Sequence, residues 1–322
     1  MKRAGMVVGL IALIALITGA FAVRAARHHH VAVPPVPTRP VLLCTTDMRA
    51  VCSDLASGTL DVRIESPAVT IGRLRDGETL GADAWLAARP WIDLAQIETA
   101  AAGRADPFGA ATDTLARTPL VVIVRRDRRA VLEGACAGRI DWPCLTGRVG
   151  QPWAAIDGTP AWGLVTLGLD QPDEATDGLL AIAQMTAAFT RRATFDVRDL
   201  ETVQSSLTTL ASRVPASSHG DALGAMLERD GSFDLTVTLE AGTRVAIASP
   251  RASGQLDLIE INPVVAADAV LVAGIGSLAT VDPDGVRKAL IGRGWHFPDR
   301  AASGVPDGAT LRAILQLWQP TR

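Results

Sequence analysis

Val41-Leu42-Leu43-Cys44-Thr45-Thr46-Asp47 is the stretch on which the fold turns: four apolar residues, enough for a short buried strand, run straight into three residues that cap helices. A helical stretch through Leu55 follows, so the chain passes from strand through polar loop into helix. That is the repeating unit of an α/β sheet. Working outward, residues 60–64 alternate as a second strand and residues 69–75 open a helix. Residues 82–86 make a third strand that ends in Ala87-Ala88-Arg89-Pro90-Trp91, where Pro90 suits a turn or a helix start. Residues 120–124 form an uninterrupted apolar run of the kind a doubly covered strand needs. The Arg125-Arg126-Asp127-Arg128-Arg129 run after it reads as a solvated strand exit.

A second block spans about residues 127–230. Residues 165–169 read as a strand, Asp170-Gln171-Pro172-Asp173-Glu174-Ala175-Thr176-Asp177-Gly178 as a turn, and residues 179–189 as a long apolar helix. Residues 196–213 and 222–229 read as helices, and Gly231-Ser232-Phe233-Asp234 leads into an alternating strand at 235–239. Residues 258–261 and 269–273 supply further strands, and 283–291 and 310–317 further helices. The expected crossings between two lobes fall near residues 117–120 and 235–241. The implied domains are 41–118 with 240–322 as lobe 1 and 119–239 as lobe 2, a two-part body of about 280 residues.

Ahead of this body, residues 4–23 carry no charge, with Met1-Lys2-Arg3 before them and Arg24 and Arg27 after. A twenty-residue helix is roughly 30 Å long, enough to cross a bilayer core. Residues 1–27 therefore read as a membrane anchor or, with the small-x-small triplet Ala20-Phe21-Ala22, as a cleaved signal. Either places the body outside the cell membrane. Residues 28–40, with four prolines between 31 and 40, form a tether; His28-His29-His30 within it have no fixed geometry and make no metal site.

The net charge of -3 and the scattered basic residues exclude a nucleic-acid footprint and a polybasic membrane patch. The four cysteines form two pairs of identical spacing, Cys44 with Cys52 and Cys136 with Cys144, and export permits disulfides. Zinc ligation by the four thiols fits poorly, because neither pair has the two-to-four-residue gap of a zinc knuckle.

Taken with Arg117-Thr118-Pro119 before the crossing strand, the loops after the first and third strands, the Pro172-x-x-Ala175-Thr176-Asp177-Gly178-Leu179 turn and Gly231-Ser232-Phe233-Asp234, the chain resembles the type II periplasmic solute-binding proteins. The form is that of actinobacterial cell-envelope proteins, and the resemblance covers residues 41–322. It implies an α/β, two-lobe fold, a small polar or anionic solute held between the lobes, an ABC-type transporter as partner, and no cofactor. Strand ends facing across such a crevice nominate Thr45, Thr46, Asp47, Arg89, Trp91, Thr176, Asp177 and Gly178 as ligand-binding residues. Helix N-termini there favour anions, whereas Asp47 and Asp177 compete with them; helix capping is the plain alternative for Thr45, Thr46, Asp47, Thr176 and Asp177.

Trp85 reads as core, Trp91 as crevice lining, and Trp142, Trp153 and Trp162 as anchors of an irregular loop. Outside the tether the histidines are His219 and His296, both in polar loops, and none of the nucleophile-elbow, zincin, P-loop or dinucleotide motifs is present, so no enzyme is expected. The alternative function is a ligand-free scaffold or sensor for envelope partners.

Overall fold

The computed structural model describes residues 39–214, 221–229, 231–250, 252, 254–275, 281–299, 302 and 305–318. The anchor or signal segment, the tether with its three histidines and His219 lie outside the described residues. Among the described residues no helix is long and apolar enough to cross a membrane. The account below concerns the unit from Pro40 onward.

Apolar runs become strands where expected. β1 (Val41–Thr45), β2 (Asp61–Glu65) and β3 (Ala84–Ala88) pair in parallel, with β1 between the other two. The last four residues of β1 and all five of β3 are buried, as strands covered on both faces require. The connecting helices are α1 (Arg49–Leu55), α2 (Pro67–Asp76) and, after β3, α3 (Arg89–Ala101). The second starts on Pro67 under a Ser66 cap that accepts from the Val69 amide, and the third carries Pro90 in its first turn.

β5 (Ala116–Arg125) is the axis of the fold. Its residues 116–119 pair antiparallel with β9 (Ala266–Gly274), while Leu120–Val124 pair with β7 (Leu235–Leu239) and Val122–Arg125 with β8 (Leu256–Ile259). The partner changes at Pro119, which has no N–H to donate, and the Leu120 amide donates instead to the Val265 carbonyl at 2.8 Å. The first half of the sheet thus reads β2-β1-β3-β9-β5, with β4 (Phe108–Ala111) on β9; the second reads β5-β7-β6, where β6 is Leu167–Gly168. Because β8 pairs with the second half of β5, residues 240–262 stay with that half. The chain reaches the first half again at Val265–Ala266, where β9 begins.

Helices α4 (Arg126–Ala135), α5 (Trp142–Arg148), α6 (Thr176–Thr190), α7 (Leu200–Arg213) and α8 (Ala222–Glu228) belong to the second half. Arg125 closes β5 and residues 126–129 form the first turn of α4, so the charged run leaves the strand directly into a helix. α6 is the most buried of these, and its Gln184 side chain accepts from Trp142 Nε1 at 2.9 Å while donating to the carbonyls of Ile261 and Pro263, which fixes the returning chain. α9 (Glu240–Ile247), kinked at Ala241 and Gly242, sits against β5 and β7; α10 (Pro283–Gly292) and α11 (Gly308–Trp318) follow, the last packing on α3, α6 and α7.

Both expected disulfides are present. Cys44 bonds Cys52, clamping the end of β1 to α1, and Cys136 bonds Cys144, joining the end of α4 to α5. The tryptophan-rich loop is anchored as expected: buried Asp234 accepts from Trp153 Nε1 at 3.0 Å and from the Thr166 amide and hydroxyl, and pairs with Arg128 at 2.6 Å. The Arg128 guanidinium in turn lies 4.8 Å from the Trp162 ring centre.

A candidate ligand seam between the sheet halves

The first half contributes the loop after β1. Thr45 is buried, Thr46 half-buried, and Asp47 is open to solvent while protein surrounds it, the situation of a group in a narrow seam. The Cys44–Cys52 bond braces this loop from both sides. The second half contributes the start of α6, where Thr176 is fully buried, and α3 of the first half contributes Trp91, 1% exposed.

These residues touch directly. Trp91 Nε1 donates to Thr176 Oγ1 at 2.8 Å, and Thr176 Oγ1 donates to Asp47 Oδ2 at 2.9 Å. The chain's own indole, hydroxyl and carboxylate therefore form a hydrogen-bond relay that fastens the two halves. Capping does not account for these side chains: Thr45 makes no capping bond, and the residue in the cap position of α6 is Ala175. Asp177 turns its carboxylate to the adjacent Gly178 amide at 2.8 Å. Gly178 is needed for close approach, since a Cβ there would lie 2.3 Å from the Asp170 carbonyl oxygen.

The electrostatics of the seam are acidic. Burial raises the Asp47 carboxyl above its ordinary range, against the opposing pull of the Thr45 and Thr176 hydroxyls. Burial and the neighbouring Asp170 charge hold Asp177 well above the ordinary range, with Asp47 adding to the effect. Asp170, 7% exposed, is pushed up to about 6, chiefly by burial and further by Asp221, while the Ala222 amide donating at 2.6 Å pulls it down. Sequence reading passed over Asp170 as a turn residue; its one local signal was its place at the strand end opening the turn.

Arg89 does not join this group. It lines a cavity of about 140 Å³ with Pro90, Asp93, Arg117 and Asp268, beside the hinge strands. There Arg117 and Asp268 form a two-pronged ion pair at 2.6 and 2.9 Å between β5 and β9. His296 is likewise structural: it exchanges main-chain bonds with Arg117, and its Nε2 lies 2.9 Å from the buried Glu240 carboxylate. Among the described residues no cluster of histidine, cysteine and acidic side chains could hold a metal ion.

No family model and no curated protein matches the chain. Solved structures do. A periplasmic thiamin binding protein aligns with a TM-score of 0.52 at 12% identity over 89% of this chain and 98% of that one. The Atu4243-GABA receptor aligns with a TM-score of 0.52 at 11% identity over 87% and 96%. The sulfate-binding protein SubI from Mycobacterium tuberculosis H37Rv is similar too, with a TM-score of 0.49 at 16% identity over 88% and 85%. The fold is that of the two-lobe periplasmic solute-binding proteins.

Proposed function

We propose that the chain is an extracellular solute-binding protein of the kind found in actinobacterial cell envelopes, tethered to the membrane by residues 1–27, which captures a small polar solute between its two halves for an ABC-type permease. It binds and does not catalyse. The observation that carries the reading is the contact of Asp47 and Trp91 from one half with Thr176 from the other. Two disulfides fit a body that folds outside the cytoplasm.

The test is thermal stabilisation of the purified body across a broad panel of small polar molecules. A true ligand raises stability by RT ln(1+[L]/Kd), about 2.7 kcal/mol at a hundredfold excess over Kd. Such a shift, abolished by Thr176→Val, supports the reading; its absence across the panel leaves the scaffold. That second reading has its own support in the Trp91–Thr176–Asp47 relay, in which the chain's own side chains join the halves.

A further inference from the structure

Among the described residues the buried acids elsewhere, Asp234 and Glu240, each hold a cation. Asp234 pairs with Arg128 at 2.6 Å, and Glu240 with Arg244 at 2.5 Å and His296 at 2.9 Å. The seam breaks that habit. Asp170 and Asp47 act on Asp177, Asp221 acts on Asp170, and Asp170 and Asp177 share a hydrogen bond, while among the described residues no arginine, lysine or histidine acts on Asp47, Asp170 or Asp177. Neighbouring acids with no cation among them are costly where burial is high, so such a group is completed by protons, as in the Asp170–Asp177 hydrogen bond, or by a positive charge brought from outside.

A second observation points into the same place. Thr45 is fully buried, its hydroxyl beside the Asp47 carboxyl, and Oγ1 makes no hydrogen bond of good geometry; Asp173 Oδ1, in the turn before α6, is also buried without a partner. Unused polar atoms thus stand beside Asp47 and in the turn that leads to Asp177. The opposing influence is the N-terminus of α6, worth roughly half a positive charge. Asp47 alone outweighs it.

Resting on the solute-receptor reading above, we infer that the seam takes solutes bearing an ammonium group and rejects oxyanions, with Asp47 as the residue that sets the preference. An ammonium offers three N–H donors and no acceptor, matching acceptor-only carboxylates on two sides. It would take Asp47 from Thr176 while Thr176 keeps its bond from Trp91. Because Asp170 and Asp177 hold their protons more tightly than ordinary carboxylates, an arriving cation displaces protons. Binding therefore tightens as pH rises, with Asp47, Asp170, Asp177 and Asp221 the groups that face the site.

The test uses the full chain and a balanced set of probes: putrescine, ethanolamine and choline against sulfate, phosphate and acetate, by thermal shift and titration calorimetry in buffers of different ionisation enthalpy. Stabilisation by an amine with proton release, and binding weakened about tenfold or more in Asp47→Asn, is the expected result. Stabilisation by an oxyanion but by no amine, lost in Thr176→Val, overturns the ammonium inference and leaves the receptor reading standing. Stabilisation by no probe, in the wild type or in Asp47→Asn, overturns both.

Discussion

Replacing Asp170 by asparagine should stabilise the protein at slightly alkaline pH and do nothing in acid. The side chain is 7% exposed, and burial lifts its carboxyl from an ordinary 3.8 to about 6 in the folded state. Since the folded value is the higher one, its favourable contribution is fully present below about 4 and is lost as pH rises through 6. A displacement of that size corresponds to about 3 kcal/mol of stability lost by pH 8. Asparagine keeps the Oδ1 acceptor that receives the Ala222 amide at 2.6 Å, offers an N–H to the neighbouring Asp177 carboxylate, and carries no charge at any pH. Urea unfolding followed by tryptophan fluorescence at pH 4, 6 and 8 measures the difference between the two proteins; groups away from Asp170 cancel, while Asp177, relieved of the Asp170 charge, adds in the same direction. The curves should coincide at pH 4 and separate by up to about 3 kcal/mol at pH 8, or roughly 6 to 10 °C in melting temperature. A separation that is constant across this range, or an asparagine variant less stable at pH 8, would refute the account of Asp170 as a buried acid strained by its surroundings.

Three further outcomes are expected. Thr176→Val leaves the buried Trp91 indole N–H without an acceptor and should cost about 1 to 3 kcal/mol in chemical denaturation, with Thr176→Ser recovering most of it; equal loss in both would mean that shape and not the hydroxyl matters. Replacing Cys44 and Cys52 together by alanine opens a loop of about nine residues and should lower stability by roughly 2 to 3 kcal/mol while loosening the Thr45–Asp47 loop to hydrogen exchange, whereas unchanged exchange would show that the bridge does not hold the seam. Asp234→Ala removes the acceptor of the Trp153 and Thr166 bonds and strands Arg128 in a half-buried site, so a loss of about 3 to 5 kcal/mol is expected; a loss under 1 kcal/mol contradicts the anchoring role.

Much of the frame was legible because its signals are local. The apolar runs at β1 and β5, the proline and Ser66 at the start of α2, and the matched cysteine spacings all act within a dozen residues, and the structure keeps them. The third strand runs two residues later than its pattern, at Ala84–Ala88, because Asp83 is occupied before the strand, its carboxylate taking the Val41 amide at 2.7 Å. β8, four residues long and largely half-buried, carries too weak a period to reveal its partner. Arg125 to Arg129 looked like solvated charge because only its local partners, Asp127 and Glu133, are visible in the pattern, while Asp234 and Asp257 lie more than a hundred residues away. The seam was legible as a set of strand ends, not as a set of contacts. That Thr176 would stand between Trp91 and Asp47, 85 and 129 residues distant, follows from how two halves dock and from no pattern along the chain.

Those contacts bear on whether a self-fastened seam is compatible with a receptor. The relay consists of two hydrogen bonds, and what separates the halves energetically is the exchange of partners, not the gross strength of the bonds. If opening left Trp91 Nε1 unpaired in a dry interior, the cost would be about 1 to 3 kcal/mol. Asp47 is open to solvent, however, so its carboxylate regains water when Thr176 leaves, and a solute that bonds Asp47 replaces the lost contact outright. The net cost then falls to about 0.5 to 1.5 kcal/mol, less than the roughly 2.7 kcal/mol supplied by a ligand at a hundred times its Kd. The latch is thus weak enough for a solute of ordinary affinity to displace. The hinge is stiffer: strand pairing at Pro119 and Val265, the Arg117–Asp268 fork and the bond from the Ala241 amide to Thr118 Oγ1 at 2.9 Å all lie at the crossings and none involves the seam. A body with a firm hinge and an exchangeable latch is mechanically suited to closing on a ligand, and its acidic seam favours a ligand that brings positive charge.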